Sequence, residues 1–171
     1  MLNQIETRHL PWIILAASIA TLGGAYFFEY VLGYMPCHLC LQERIPYFVV
    51  IVASLYAGVL TRDGNWTTVP TILMSLCALA FAIGAGLSAY HAGVEYKWWP
   101  GPTSCTGGFL ANSLEALTAE LTKGKHLPQC DAAAWTLFGI SLAGYNMLIS
   151  LALFVLSCLP ALRARAQGQS A

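Results

Sequence analysis

The sequence predicts an all-α membrane protein, a bundle of four transmembrane helices joined on the outer side by a short and a long loop. Of its 171 residues, 57% are hydrophobic and only 9% are charged, whereas roughly 25% of a soluble domain is charged. Four apolar segments also approach the ~20 residues that a helix needs to cross a hydrocarbon core of ~30 Å. These observations exclude a water-soluble fold. Eight basic residues balance eight acidic ones, which also argues against binding to nucleic acid.

We expect one membrane domain over residues 1–171, with spans at residues 11–32, 45–60, 70–93 and 134–159. The first apolar run is too long for the apolar region of a signal peptide, so we expect it to be retained. The second span is the shortest of the four. It reaches full length only if residues 41–44 lie in the headgroup layer with Arg44 extending outward.

Four spans place both termini on one side of the membrane and the loops at residues 33–44 and 94–133 on the other. Lys and Arg are distributed almost evenly, with a modest preference for cytoplasmic termini. Cysteines in both loops agree with this orientation, because disulfides persist in the periplasm and not in the cytosol. Within the long loop, leucines recur at helical spacing over residues 110–121. This pattern predicts an amphipathic helix on the membrane surface, the alternative being a solvated loop helix.

The positions of the six cysteines divide them into three groups. The first-loop pair is Cys37 and Cys40, the second-loop pair is Cys105 and Cys130, and Cys77 and Cys158 fall within predicted spans. The two cysteines within spans are expected to pack as small apolar residues. The loop pairs are the candidates for chemistry.

The first-loop pair has the Cys-x-x-Cys spacing that allows a reversible disulfide and can lower the pKa of one thiol. With a helix beginning near Ile45 or slightly earlier, Cys40 lies close to a positive helix end, and Arg44 is one turn away. Both features are expected to favour a thiolate at Cys40. Other interpretations are an inert clamp and half of a zinc site completed by Cys105, Cys130, His38 or His126. A c-type haem is excluded because Leu41 follows the motif where histidine is required.

The second-loop pair alone could be a structural staple, since it encloses a long loop segment. Together with the first-loop pair it predicts a relay in which thiolate attack passes oxidising equivalents between disulfides. Two ionisable residues in or near the spans, Glu29 and His91, are also candidates, because such groups are costly in a membrane and usually face protein or a cavity. His91 is expected either to hydrogen-bond a ligand or to reach the interface.

Residues 30–44 read YVLGYMPCHLCLQER, residues 90–95 read YHAGVE, and residues 99–102 read WPGP. Together these motifs resemble the DsbB family. The resemblance covers essentially the whole chain, and the combination is more specific than any single motif. It implies an enzyme of the bacterial inner membrane that reoxidises a periplasmic thioredoxin-like donor, DsbA, and delivers the electrons to ubiquinone or menaquinone.

The resemblance also implies a role for each candidate residue. Cys105 would form the mixed disulfide with DsbA, Cys130 would exchange with Cys37, and Cys40 would face the quinone. Arg44 matches the family arginine beside the quinone, and His91 matches a residue close to the quinone.

Two acidic residues near this site, Glu29 and Glu43, add negative charge that could partly offset Arg44. Three other functions stay open from the residues alone: a non-catalytic bundle with structural disulfides that binds a partner, a zinc-binding membrane protein, and a four-span reductase of a vitamin K type quinone.

Overall fold

The computed structural model describes residues 2–64, 66–102 and 130–168, with side chains for residues 8–64, 66–102 and 130–162. Cys105 and the amphipathic helix expected at residues 110–121 lie outside the described residues. The described residues include the four predicted spans and both ends of the predicted long loop, residues 94–102 and 130–133.

Four long helices make up the fold: α1 (Leu2–Tyr30), α2 (His38–Leu60), α3 (Thr68–Glu95) and α4 (Leu142–Gly168). Each contains a stretch long and apolar enough to cross a membrane. Such helices satisfy all their backbone hydrogen bonds internally, as a lipid environment requires. The predicted fold class, a bundle of four transmembrane helices, is therefore confirmed.

Helix α3 packs against both α2 and α4, and α1 packs mainly on α2 with a smaller contact to α4. Small residues let the helices approach closely, because Gly84 of α3 faces the ring of Pro46 in α2. The core at this level includes an edge-to-face pair of Tyr47 and Phe81, whose ring centroids are 5.9 Å apart. Many large apolar side chains point outward instead, as expected for a surface in contact with lipid.

Helix α2 begins at His38, about two turns before residue 45, near which the sequence predicts the start of the helix. Cys37 is the N-cap residue, with an extended backbone and a sulfur that accepts a hydrogen bond from the Cys40 backbone N–H at 3.2 Å. A side-chain acceptor at this position satisfies one of the free amides of the first turn. The Cys-x-x-Cys motif therefore forms the first turn of the helix, where the sequence analysis expects a loop.

The fourth span also starts later than predicted, at Leu142, because a short antiparallel hairpin precedes it. Strands β1 (Thr136–Leu137) and β2 (Ile140–Ser141) are joined by two residues that both have positive φ, Phe138 at 51° and Gly139 at 79°. Positive φ at both central positions is the requirement of a type I′ hairpin turn. Hydrophobicity alone does not separate these residues from the helix that follows.

The hairpin is held against the end of α3. The Tyr96 hydroxyl donates to the Gly139 carbonyl at 2.8 Å and accepts from the Ser141 backbone N–H at 3.2 Å. On the other side, Trp135 packs edge-on against Phe28 of α1, with 5.2 Å between the ring centroids. These contacts position the segment from Cys130 to α4 over the same end of the bundle as the first-loop pair.

Candidate functional site

The sulfur of Cys37 lies where α2 begins and is buried. It accepts the Cys40 amide hydrogen bond and lies 3.4 Å from His91 Nε2. A hydrogen bond from the Cys40 side chain, together with this amide, holds the pKa of Cys37 below its ordinary value. Burial and the negative charges of Glu43 and Glu95 act in the opposite direction but do not outweigh the hydrogen bonds. Cys37 is therefore the thiol that the helix end activates.

The sequence analysis expects this stabilisation at Cys40, and the structure corrects that expectation. Because the helix begins at His38, the backbone N–H of Cys40 lies in its first turn. This N–H donates to the sulfur of Cys37 and not to that of Cys40. The Arg44 guanidinium is also engaged elsewhere. Its Nη1 donates to Glu29 Oε2 at 2.5 Å, and its Cζ lies 4.8 Å from the centroid of the Tyr26 ring.

His91 is only 2% exposed and links the first-loop pair to a buried carboxylate. Its Nδ1 lies 2.7 Å from Glu43 Oε1, and its Nε2 faces Cys37. An ionised carboxylate would only accept a hydrogen bond, which would place a proton on Nδ1 and leave Nε2 as the nitrogen that faces the sulfur. Of the two acidic residues expected to offset Arg44, Glu29 contacts it and Glu43 contacts His91.

The hydrogen-bond network continues from Glu43 into α4. Asn146 Nδ2 lies 2.7 Å from both Glu43 Oε2 and Ser88 Oγ. The Tyr47 hydroxyl donates to Asn146 Oδ1 at 2.6 Å and lies 3.0 Å from Ser150 Oγ. Asn146 is a member of the site that the sequence did not predict. An amide within an apolar span was the available signal, because polar groups in a membrane need partners.

A cavity of about 300 Å³ lies among the four helices at this end of the bundle, and most of its lining residues are apolar. Cys40, Arg44 and His91 all line it. The structure therefore brings together the two residues that the sequence analysis selects for cofactor binding and one cysteine of the first-loop pair. A mostly apolar cavity of this size with a few convergent polar groups is typical of a small-molecule site.

Cys130 is not among the described residues that line this cavity. It is fully buried and packs in one cluster with Cys37, Leu39 and Val94, with Cys40 at the edge of the cluster. Cys130 is disulfide-bonded, whereas the two thiols of the first-loop pair are free. Among the described lining residues of the cavity, Cys40 is present and Cys37 is not. The two cysteines of the motif thus have different neighbours.

An ion pair connects the residue after Cys130 to the chain that follows α3. Lys97 Nζ donates to Asp131 Oδ2 at 2.7 Å, and Lys97 itself has a positive φ of 62°. The hydrogen bond and charge of Lys97 lower the pKa of Asp131. Both side chains are substantially exposed, so the pair contributes at most ~1 kcal/mol and serves mainly to position the chain.

The two remaining cysteines of the described chain are both free thiols. Cys77 is fully buried in the core cluster, to which all four helices contribute, and this confirms the prediction that it packs as an apolar residue. Cys158 is partly exposed on α4. Neither lines the cavity in the part of the chain that the structure describes.

The structure also bears on the zinc interpretation. His38 is exposed and Cys130 is disulfide-bonded, so neither completes a metal site with the first-loop pair in this state. The donor atoms of Cys37, Cys40 and His91 do lie within 4.8 Å of one another. His126 and Cys105 lie outside the described residues.

A comparison with protein-family models matches residues 7–160 to the family described as "Disulfide bond formation protein DsbB". The match includes the cysteine motif, the cavity and all the described cysteines. No solved structure matches the chain significantly.

Curated relatives resemble the chain over most of its length. A protein named "Disulfide bond formation protein B" from Burkholderia pseudomallei is 30% identical over 166 residues, covering 93% of this chain and 89% of the relative. One with the same name from Acidovorax sp. is 28% identical, covering 85% and 83%. The "Uncharacterized protein RP370" from Rickettsia prowazekii is 29% identical, also covering 85% and 83%.

Proposed function

Because the chain belongs to the DsbB family of disulfide bond formation proteins, we propose that it reoxidises a periplasmic DsbA-like thiol oxidase and passes the electrons to a membrane quinone. As a family member it is a disulfide oxidoreductase and a multi-pass protein of the bacterial inner membrane. The donor, the acceptor and the roles of single residues are the parts of this function that we propose.

One observation carries the proposal: the two cysteines of the first-loop pair face different surroundings. Cys37 is buried in the same apolar cluster as Cys130 and does not line the cavity among the described residues, whereas Cys40 lies at the edge of that cluster and lines the cavity with Arg44 and His91. A purely structural disulfide does not need its two cysteines to lie in different surroundings. A pair that takes electrons from one cysteine and gives them to a cofactor requires this division between surroundings.

The thiol steps follow from this division. Since the four other cysteines are free thiols, we propose that Cys130 is bonded to Cys105. A thiolate of the donor attacks Cys105, and the donor's second thiol then releases the donor as a disulfide and the second-loop pair as two thiols. Cys130 attacks Cys37 of an oxidised first-loop pair, and Cys105 completes that exchange. Each exchange oxidises one dithiol and reduces one disulfide. Two electrons and two protons therefore pass from the donor to the second-loop pair and then to the first-loop pair.

His91 is suited to manage the proton of Cys37. Its Nε2 lies 3.4 Å from the sulfur and can accept the thiol proton, while Glu43 holds the proton on Nδ1 and fixes the ring. The resulting imidazolium is stabilised by the Glu43 carboxylate in a buried site. The same contact returns a proton to the sulfur when Cys37 is the leaving group.

The cavity suits ubiquinone or menaquinone, because a flat apolar ring with polar oxygens needs mostly apolar walls and a few polar groups. Arg44 and His91 are the lining residues that we propose to bind it, together with Cys40. When bound, a quinone supplies an acceptor for two electrons and two protons. The fixed charge of Arg44 would favour negative charge on the ring, although Glu29 offsets part of it.

We also propose the orientation with cytoplasmic termini and both cysteine loops in the periplasm. Support comes from the shared location of Cys37 and Cys130 at one end of the bundle, since a periplasmic donor must reach the second-loop pair. Disulfides in these loops are compatible with that compartment.

The proposal is tested with purified protein in membranes that contain quinone and with a reduced DsbA-like donor. We expect catalytic oxidation of the donor, its loss in Cys40→Ser, and normal turnover in Cys158→Ala. An absorption band that disappears in Cys40→Ser would place the thiolate and the quinone together. Normal turnover of Cys40→Ser would contradict the role of Cys40, and thiols that never change state during incubation with donor would indicate a structural bundle.

A further inference from the structure

Three potential metal ligands converge beside the cavity. The Cys37 sulfur lies 3.4 Å from His91 Nε2, and the donor atoms of Cys37, Cys40 and His91 are all within 4.8 Å of one another. Bond lengths of about 2.3 Å for sulfur and about 2.0–2.1 Å for nitrogen around tetrahedral zinc place ligand atoms at comparable separations. Two thiols and an imidazole are a donor set that Zn²⁺ favours.

The orientation of His91 strengthens this assignment. Its Nδ1 lies 2.7 Å from the Glu43 carboxylate, so its Nε2 is directed at the cysteines. Zinc-binding histidines commonly have this arrangement, in which a carboxylate holds one ring nitrogen and the other binds the metal. Asn146 in turn holds Glu43 at 2.7 Å, so the imidazole is fixed before any metal arrives.

A fourth ligand is available from the next turn of α3. The Glu95 side chain is only 6% exposed, and its Oε1 lies 3.8 Å from His91 Nε2. Its Oε2 is buried and makes no hydrogen bond of good geometry among the described residues, although the Ser141 side chain also interacts with this carboxylate. A buried carboxylate oxygen without a good hydrogen bond is costly, and a cation between Glu95 and the cysteines would satisfy it.

We propose that the reduced first-loop pair, with His91 and Glu95, forms a redox-controlled Zn²⁺ site that inhibits the enzyme when occupied. Zn²⁺ binds as the two thiols lose their protons, and no electron is transferred. The bound metal occupies both sulfurs, so Cys37 cannot exchange with Cys130 and Cys40 cannot donate to an acceptor in the cavity. Oxidation of the pair to a disulfide removes two of the four ligands, and an oxidised protein therefore does not bind the metal. The inhibition, but not the metal binding, rests on the proposed function.

The binding test uses the full chain, purified, reduced and freed of metal. Zn²⁺ is titrated in competition with a coloured chelator, and one equivalent is expected to bind tightly. We expect Cys40→Ser and His91→Gln to weaken binding at least about 100-fold, and Glu95→Gln about 10-fold. His38→Gln and Cys158→Ala are matched controls that should bind like the parent, because His38 is exposed and Cys158 lies in another part of the bundle.

A second measurement avoids variants that fold poorly. In the unaltered reduced protein, Zn²⁺ should protect Cys37 and Cys40 from alkylation while Cys158 reacts at its usual rate, as read by mass spectrometry of the peptides. Protein oxidised beforehand should bind no stoichiometric Zn²⁺. No protection, binding unchanged in His91→Gln, or equal binding by oxidised protein would each overturn the proposal.

Activity separates this inference from the proposed function. With a chelator present, donor oxidation tests the proposed function alone, and its absence would contradict that function while leaving the metal titration valid. If donor oxidation is normal with chelator and falls at least about tenfold with one equivalent of Zn²⁺, both proposals are supported. Normal oxidation that Zn²⁺ at one equivalent does not slow would refute the inhibitory site only.

Discussion

Replacing Arg44 by methionine tests whether this residue acts in the chemistry or only in folding. Its guanidinium is paired with Glu29 at 2.5 Å, and the two side chains are 11% and 19% exposed. Arg44→Met would leave the Glu29 carboxylate unpaired beside a mostly apolar cavity. Breaking a buried pair costs about 3–5 kcal/mol. The partial exposure of both groups places the expected loss of unfolding free energy near the lower value.

The double variant Arg44→Met with Glu29→Gln removes both charges together. Replacing a whole buried pair by neutral groups is often close to neutral in stability, so about 2 kcal/mol should be recovered relative to Arg44→Met alone. Donor oxidation should not recover, because the positive charge that lines the cavity is still missing. A hydrogen bond to a charged group is worth about 1.5–3 kcal/mol, so its loss at the bound quinone should slow donor oxidation at least about tenfold.

The assay combines denaturant unfolding in detergent with quinone-dependent oxidation of a reduced donor, for the parent, both single variants and the double variant. Glu29→Gln alone is the matched control and should keep its activity, since Arg44 remains charged. If the double variant is as unstable as Arg44→Met, the two side chains do not interact as the structure indicates. If its activity returns together with its stability, Arg44 supports the fold and has no part in the reaction.

Three further predictions concern other parts of the structure. The pKa of Cys37 is lowered, so its thiolate should persist at pH values where an ordinary thiol is protonated and be lost as the pH falls through the lowered pKa. The alkylation rate of the reduced protein should have its midpoint below that of the unfolded chain, and an equal or higher midpoint would contradict this. Gly93→Ala should lower the unfolding free energy by about 1–3 kcal/mol, because a Cβ there would lie 2.0 Å from the Trp99 ring. Gly86→Ala on the same helix meets no atom within 4 Å and should not destabilise in the same thermal unfolding assay. Tyr47→Phe should cost about 1–3 kcal/mol in that assay, since its hydroxyl bonds two side chains of α4, and an unchanged midpoint would argue against this network.

The candidate site was only partly predictable. The Cys-x-x-Cys motif, Arg44 and His91 are recognisable in the sequence, and all of them lie around one end of the bundle. The partner of Glu43 was not predictable, because His91 is 48 residues away on another helix. Asn146 was missed for the same reason, since its importance comes from the groups that α2 and α3 present to it.

The helix boundaries show a second kind of difference. Hydrophobicity predicts a second span from residue 45, but the backbone continues as a helix to His38 because the Cys37 sulfur caps its first turn. Because the helix begins earlier, the sulfur that accepts a backbone hydrogen bond at its end is that of Cys37, whereas the sequence predicts this stabilisation at Cys40. A difference of two turns at one boundary therefore reverses which thiol is activated.

By itself, the sequence determined that this is a four-span membrane protein with a Cys-x-x-Cys motif next to its second span, because apolar length and residue spacing are local properties that do not depend on tertiary contacts. The tertiary structure alone decided that Cys37 lies in one buried cluster with Cys130 and that Cys40 lines the cavity. It also decided that Arg44 pairs with Glu29 and His91 with Glu43. These pairings depend on the rotation and depth of each helix in the bundle. Packing among all four helices sets both quantities, and no single segment encodes them.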